Sequence, residues 1–293
     1  MRPHLIGQTH VQRVLEFEGF PAPANLIFPN CTPDVVARGR EWLDERFIAK
    51  DADSLLMSFQ SFVIRSRGLT ILVDACNGND KERPGMEYCH KKQFPYLANL
   101  AAAGFKPEDI DIVLCTHLHF DHVGWNTRLE NGRWVPTFPK AKYLMAKADY
   151  DWFASGQVEA PLDCAFKDSV LPIMEHGQAH LIDNRHLISH EIGDGIWLED
   201  AAGHTPGSVV MYCQDKGGGR AVFSGDVIHH PVQLEKLDLH IHGEWDDAKG
   251  LAVRRKLIES CADTDTTVFT AHFPTPTAAR FYSHKGGFRA RFD

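Results

Sequence analysis

The segment Thr116-His117-Leu118-His119-Phe120-Asp121-His122 constrains this chain more than any other stretch of its 293 residues. It follows the apolar run Ile110–Cys115, whose length and composition predict a buried strand. Side chains alternate along an extended strand, so His117 and His119 point the same way. Asp121 and His122 lie past the strand, where a turn aims them at a second point. Gly124 is expected to allow the bend that follows. The spacing suits two adjacent metal positions better than one. It demands a fold that brings further ligands to the same place.

The chain offers them at other strand ends. His204 sits in Ala-Gly-His-Thr-Pro-Gly, a loop between two predicted strands. Asp226 follows the apolar run Ala221–Phe223 in Phe-Ser-Gly-Asp. His272 ends the last clear strand in Phe-Thr-Ala-His-Phe. Imidazole nitrogens with carboxylates suit zinc, and less selectively iron, manganese or cobalt. Two such cations about 3.5–4 Å apart can share one water and lower its pKa from about 15.7 toward 7. The reaction expected is metal-assisted hydrolysis of an ester-like bond. Asp121 is expected to hold the bridging hydroxide and later pass a proton to the leaving group.

Composition narrows the partners. Histidine is in excess, 17 against 6 Tyr, 6 Trp and 6 Met, with no oligo-His run. The net charge of −8 argues against nucleic acid, since no basic stripe faces phosphates. No run of about 18 apolar residues predicts a membrane span. The N-terminus lacks the apolar run of a secretory signal. Seven cysteines, an odd number without C-x-x-C spacing, read as reduced cytoplasmic thiols. The expected partner is a small-molecule substrate, and the expected state is a monomer or homodimer.

Predicted elements come in two batches. Residues 1–50 read as a Pro-punctuated loop, then a helix capped by Asp34 and running to Phe47. Strands are predicted at Ser54–Arg65 and Leu69–Asp74, with a turn at Arg67-Gly68 between them. A helix is predicted around Phe94–Ala101. A strand at Ala141–Met145 and a helix carrying Tyr150, Trp152 and Phe153 come next, then mixed structure over Pro161–His190. The second batch holds Ile196–Asp200, Val209–Cys213, Ala221–Ser224 and Thr267–Thr270, with a helix from Asp246 or Asp247 to Cys261. Without regular βαβ alternation, this favours two packed sheets with helices outside. One domain over 1–293 is expected, with the N-terminal 50 residues as an extension.

The ordered set resembles the metallo-β-lactamase superfamily, whose hallmark is H-x-H-x-D-H followed by His, Asp and His at later strand ends. The match runs roughly from Ser54 to His272 and includes Asp74 in Leu-Val-Asp as an early motif. The resemblance implies an α/β fold, the four-layer αββα sandwich, with a dinuclear site between the sheet edges. It implies His117, His119 and His204 on one metal, Asp121, His122 and His272 on the other, and Asp226 between them. The metals implied are two divalent ions, Zn²⁺ first. The branch most similar is that of lactonases and methyl-parathion-hydrolase-like enzymes. Lactonases of this kind often carry Tyr three residues after the bridging Asp. This chain has His229 there, a candidate hydrogen-bond donor to substrate.

The implied activity is cleavage of a lactone or related ester of a small, partly apolar molecule by metal-bridged hydroxide. Aryl ester or phosphotriester hydrolysis, a glyoxalase II-type thioesterase and a mononuclear iron dioxygenase are the alternatives. Trp125, three residues after His122, is expected to wall the substrate pocket, and Phe20 and Leu26 to cover the site or a partner subunit. Trp134, Tyr150, Trp152 and Phe153 could wall it as well. His240 and His242 lack a third partner and are expected to be ordinary residues.

Overall fold

A computed structural model describes residues 3–50, 53–66, 68–183 and 195–292. The first sheet begins with β1 (His4–Ile6), β2 (Thr9–Pro23), β3 (Ser54–Ser66), β4 (Leu69–Val73) and β5 (Ile112–Leu114). A separate hairpin, β6 (Thr127–Glu130) with β7 (Arg133–Pro136), interrupts the chain before β8 (Lys142–Ala146) and β9 (Ala179–Ile182) complete that sheet. The second sheet contains β10 (Ile196–Asp200), β11 (Val209–Gln214), β12 (Arg220–Phe223), β13 (Thr267–Phe269), β14 (Ala279–His284) and β15 (Gly287–Phe292), in that spatial order.

Period-two alternation sorts the core into layers. Phe62, Ile64, Ile71, Val73, Ile112 and Leu114 face the second sheet and meet Val209, Met211, Cys213 and Phe223. Their neighbours Val63, Leu72 and Val113 face outward, against Tyr96 and Leu100 of the helix Tyr96–Ala102. On the far side, Val210, Tyr212 and Val222 pack against Leu257, Ile258 and Cys261 of the helix Asp247–Cys261. The layers are therefore helix, sheet, sheet, helix. Asp246 caps the last helix, accepting from Lys249 N at 3.0 Å.

The strand directions create the site. β4, β5, β8 and β9 run parallel, as do β12 and β13. The C-terminal ends of β5, β12 and β13 thus lead into Thr116, Ser224 and Thr270, the residues that introduce the His and Asp motifs.

Several elements differ from the sequence expectations. Residues 4–6 and 9–23 are strands, not loop. The alternation Thr9, Val11, Arg13 was hidden because buried positions on both faces of β2 hold charged residues, Arg13 on one and Glu16 on the other. Pro21 and Pro23 are tolerated because β1 covers only the Thr9–Val11 end of β2. The expected helix to Phe47 stops at Gly39, and Asp34 lies in its first turn after Thr32. The hairpin β14–β15 was unforeseen; Arg280, Arg289 and Arg291 dilute its apolar pattern. Its turn, Lys285-Gly286, has φ of 47° and 80°, the pair of positive values that tight hairpins use. β9 emerges from the mixed segment, while 184–190 lie outside the described residues, as does Arg67 of the expected turn.

His230 ties the N-terminal segment to the second sheet. Its Nε2–H donates to Phe47 O at 3.0 Å, and its Nδ1 accepts from Val232 N at 3.1 Å. Burial pulls this imidazole down to about 3, despite the Phe47 carbonyl. The unfolded chain therefore binds a proton that the folded chain refuses as pH drops below about 6.5. Between pH 7 and 5 the protein should lose about 2 kcal/mol of stability on this account. Urea midpoints at both pH values should show that loss in the wild type, and a loss smaller by that amount in His230→Asn; equal slopes would contradict it.

Candidate metal centre

The start of the loop after β5 is held by Asp74. Asp74, just past β4, has φ of 58°. Its Oδ1 accepts from Thr116 N at 2.8 Å, and its Oδ2 from Thr116 Oγ1 at 2.9 Å. The same Oδ2 takes Nδ1–H of His122 at 2.9 Å, which turns His122 Nε2 toward the site. His272 is oriented likewise: its Nδ1–H donates to Ser58 O at 3.0 Å, leaving Nε2 inward. Gly124 is needed for a reason other than the expected bend, since its φ of −55° suits any residue. A Cβ there would stand 1.8 Å from Asn77 O, so the requirement is close approach.

Seven predicted residues converge. His117 Nε2 and His119 Nδ1 lie 3.1 Å apart, and His119 Nδ1 and His204 Nε2 2.9 Å apart. Two nitrogens round a tetrahedral zinc sit about 3.3 Å apart. On the other side, Asp121 faces His122 Nε2 at 3.8 Å and His272 Nε2 at 3.5 Å. Asp226 lies between the groups. Its Oδ1 is 3.2 Å from both His122 Nε2 and His272 Nε2. Its Oδ2 is 3.5 Å from His204 Nε2 and 3.7 Å from His117 Nε2. His229 joins the cluster, with Nε2 3.1 Å from Asp226 Oδ2.

The donor chemistry fits divalent cations. The inward-facing His122 Nε2 and Asp226 Oδ1, and both nitrogens of His229 beside them, are buried without a hydrogen-bond partner. Native interiors rarely leave such groups unpaired. His117–His119–His204, His117–His122–Asp226, Asp121–His122–His272 and His204–Asp226–His229 each form a set of potential ligand atoms within 4.8 Å of one another. Burial pulls His119 down to about 4, and His117 and His204 well below the usual imidazole range. Neutral imidazole is the form that donates a lone pair to a metal. At His122 burial acts the same way, but Asp226, Asp121 and Asp74 outweigh it and raise the group. His122, His272 and His229 in turn overcome burial at Asp226 and hold its carboxyl well below the ordinary range.

A cavity of about 560 Å³ opens over this cluster. His119, Asp121, His204, Asp226, His229 and His272 form its floor. Phe20 and Leu26 line it, as expected from the sequence. Trp125 does not. Its N–H donates to Ala75 O at 2.6 Å, which folds the chain back beneath the loop. Its Nε1–H donates to Glu16 at 2.7 Å and its ring stacks on Tyr96. The aromatic wall is instead Phe20, Phe59 and Tyr88, with Phe20 and Tyr88 centroids 4.4 Å apart and Phe59 edge-on to His272 at 5.1 Å. Trp134, Tyr150, Trp152 and Phe153 are not among its lining residues. His242 reaches the cavity and His240 does not, and neither joins a metal-capable group among the described residues. Sequence reasoning passed over Tyr88 and Phe59, whose surroundings read as turn and strand, and over Glu16 and Asp149, carboxylates in ordinary polar contexts.

Known proteins agree with this architecture. The sequence profile of the metallo-beta-lactamase superfamily matches residues 60–259. N-acyl homoserine lactonases from a Bacillus species and from Bacillus cereus are 25% and 24% identical over 173 residues, 59% of this chain. The chain spans 60% of the length of those relatives. Among solved structures, the hydrolase AbOPH of the beta lactamase superfamily superposes with a TM-score of 0.78 at 22% identity, covering 98% of this chain and 95% of that one. AidC, a dizinc quorum-quenching lactonase in complex with a homoserine product, gives 0.77 at 20% identity, covering 100% and 97%. At such identities the structural likeness is one of fold.

Asp74→Ala strands three buried donors, each costing about 1–3 kcal/mol. The expected loss of stability is about 3 kcal/mol or more, read from urea midpoints, and a loss below about 1 kcal/mol would show that the donors find other partners.

Proposed function

Because the chain belongs to the metallo-β-lactamase superfamily, we propose that it is a dinuclear metal-dependent hydrolase that cleaves lactones or related esters of small, uncharged, partly apolar molecules. One observation carries the reading. The two oxygens of Asp226 face different imidazole groups, His122 with His272 and His117 with His204. A carboxylate so placed suits a bridge between two cations. His117, His119 and His204 would hold one, and Asp121, His122 and His272 the other. Zinc is the first choice for this donor set, with iron, manganese or cobalt less selective fits. Bound there, divalent cations supply Lewis acidity, lowering the pKa of water and polarising a carbonyl oxygen.

The chain's own groups do the rest. Asp121 lines the cavity and is the candidate to hold a proton and deliver it to the leaving oxygen. His229 is placed beside Asp226 with free ring nitrogens, and is the candidate donor to the substrate carbonyl. The lining residues described include no Lys or Arg. An anionic substrate such as a glutathione thioester would find no counter-charge in the walls. The aromatic and aliphatic walls instead exclude water around an apolar arm. Aryl esters and phosphotriesters share that neutral, apolar character. The complete second group, Asp121 with His122 and His272, speaks against a mononuclear iron site. The fold is proposed to be one domain over 1–293, acting in the cytoplasm, where its seven free cysteines stay reduced.

Metal analysis and turnover on one preparation test the reading. About two metals per chain are expected, with turnover of neutral lactones or esters lost on chelation and restored by divalent metal. Turnover that survives complete metal removal would refute it. Asp226→Ala should lower kcat/KM by more than about 100-fold, whereas His240→Ala, outside the cavity, should leave it unchanged. His229→Ala should lower kcat by about 100-fold with little effect on KM; an unchanged kcat removes His229 from the chemistry.

A further inference from the structure

Asp149 belongs to the short helix Lys147–Ala154, and this carboxylate is 0% exposed. Burying a carboxylate costs several kcal/mol unless donors replace its water. Here the donors come from two separate loops. Oδ2 accepts from Leu118 N at 3.1 Å and from Thr205 Oγ1 at 2.9 Å. Oδ1 accepts from Gly207 N at 2.5 Å. Leu118 stands between His117 and His119, and Thr205 follows His204. One carboxylate therefore bonds to both segments that present the first imidazole group.

The contact is close as well as bonded. A Cβ on Gly207 would lie 2.6 Å from Asp149 N and 2.7 Å from its Oδ1. The 204–207 turn thus sits flush on the start of the helix. Thr205 is braced from behind by Ser208, whose Oγ is 2.7 Å from Thr205 Oγ1 and accepts from Thr205 N at 3.1 Å. The 2.9 Å meeting of His119 Nδ1 and His204 Nε2 depends on how far apart these loops are held.

We infer that Asp149 is a positioning residue of the metal centre: its carboxylate sets the spacing of the 117–119 and 204–207 segments, and through it the affinity of His117, His119 and His204 for a divalent cation. This rests on the ligand assignment proposed above. Both oxygens must accept. An asparagine offers one acceptor, and its amide NH₂ would face either Leu118 N–H or Gly207 N–H. The loops would separate to relieve that contact.

Zinc binding by the full-length protein, measured by competition with a chromophoric chelator, tests the inference without reference to turnover. The wild type should bind two zinc ions. In Asp149→Asn one of the two should weaken by about 10- to 100-fold while the other holds. Thr205→Val removes one donor and keeps the shape, and should weaken the same ion by a smaller factor. Circular dichroism at the working temperature shows which variants are folded. A folded Asp149→Asn with both affinities unchanged overturns the inference; if that variant does not fold, an unchanged Thr205→Val does so. A wild type that binds no zinc overturns the ligand assignment and the inference with it. A two-zinc wild type with unaffected variants overturns the inference alone.

Discussion

Asp226 is a buried carboxylate surrounded by imidazoles from both sheets, and much of the architecture serves to bring them there. His117, His119 and His122 arrive after β5 of the first sheet; His204, Asp226, His229 and His272 arrive on loops of the second. Neither sheet alone could assemble the group. The packing of Ile112 and Leu114 against Phe223 and Phe269 is thus also what sets the separation of these side chains. A parallel pair in each sheet matters for the same reason. β4 with β5, and β12 with β13, send their C-terminal loops to one edge, where backbone leaves regular pairing and side chains can converge.

Loops that leave regular pairing must satisfy their N–H groups by other means. Three buried carboxylates do much of this. Asp74 takes the start of the His117 loop, Asp149 takes Leu118 and the 204–207 turn, and Glu16 takes Asn77, Gly78 and Trp125. Burial pushes Glu16 and Asp149 each up to about 7, against the pull of their donors. A further ionic knot, Asp168 with the buried Arg83 and Lys81, anchors the segment that carries Met86 and Tyr88 to the cavity. Lys81 is pulled down to about 7 by burial, with Asp168 opposing. Removing Asp168 would leave the buried Arg83 guanidinium without its carboxylate, so this wall is fixed by a pairing that is costly to break.

The sequence made the converging His and Asp residues legible because the pattern they form is chemical and local. His-x-His-x-Asp-His at a strand end has few other uses, and His204, Asp226 and His272 each follow an apolar run that predicts its own strand. The central strands were legible too, since burial on both faces leaves continuous apolar runs such as Ile112–Leu114. What stayed hidden was polar. β2 buries Arg13 and Glu16, and β14–β15 alternates arginine with phenylalanine, so neither shows a clean apolar period. Trp125 was misplaced because proximity in sequence to His122 says nothing of direction. Tertiary contacts turn it into the core: its backbone bond to Ala75, its indole bond to Glu16 and its stack on Tyr96.

The cavity chemistry follows from the same division between charged floor and apolar wall. Most charged and imidazole groups meet at the floor around Asp121, Asp226 and His229, with Glu159 and His242 on the wall, where Phe20, Met57, Phe59 and Tyr88 present hydrocarbon and aromatic surface. Such walls attract by removing apolar area from water, and discriminate weakly between acyl or aryl arms of similar size. The floor discriminates strongly, because a polarisable carbonyl or phosphoryl oxygen must lie among donors fixed in advance. His229 matters in this setting through geometry. A phenol reaches outward from its ring, whereas an imidazole places its nitrogen close to Asp226, 3.1 Å from Oδ2. In the proposed role, a substrate oxygen engaged by His229 would therefore lie close to Asp226.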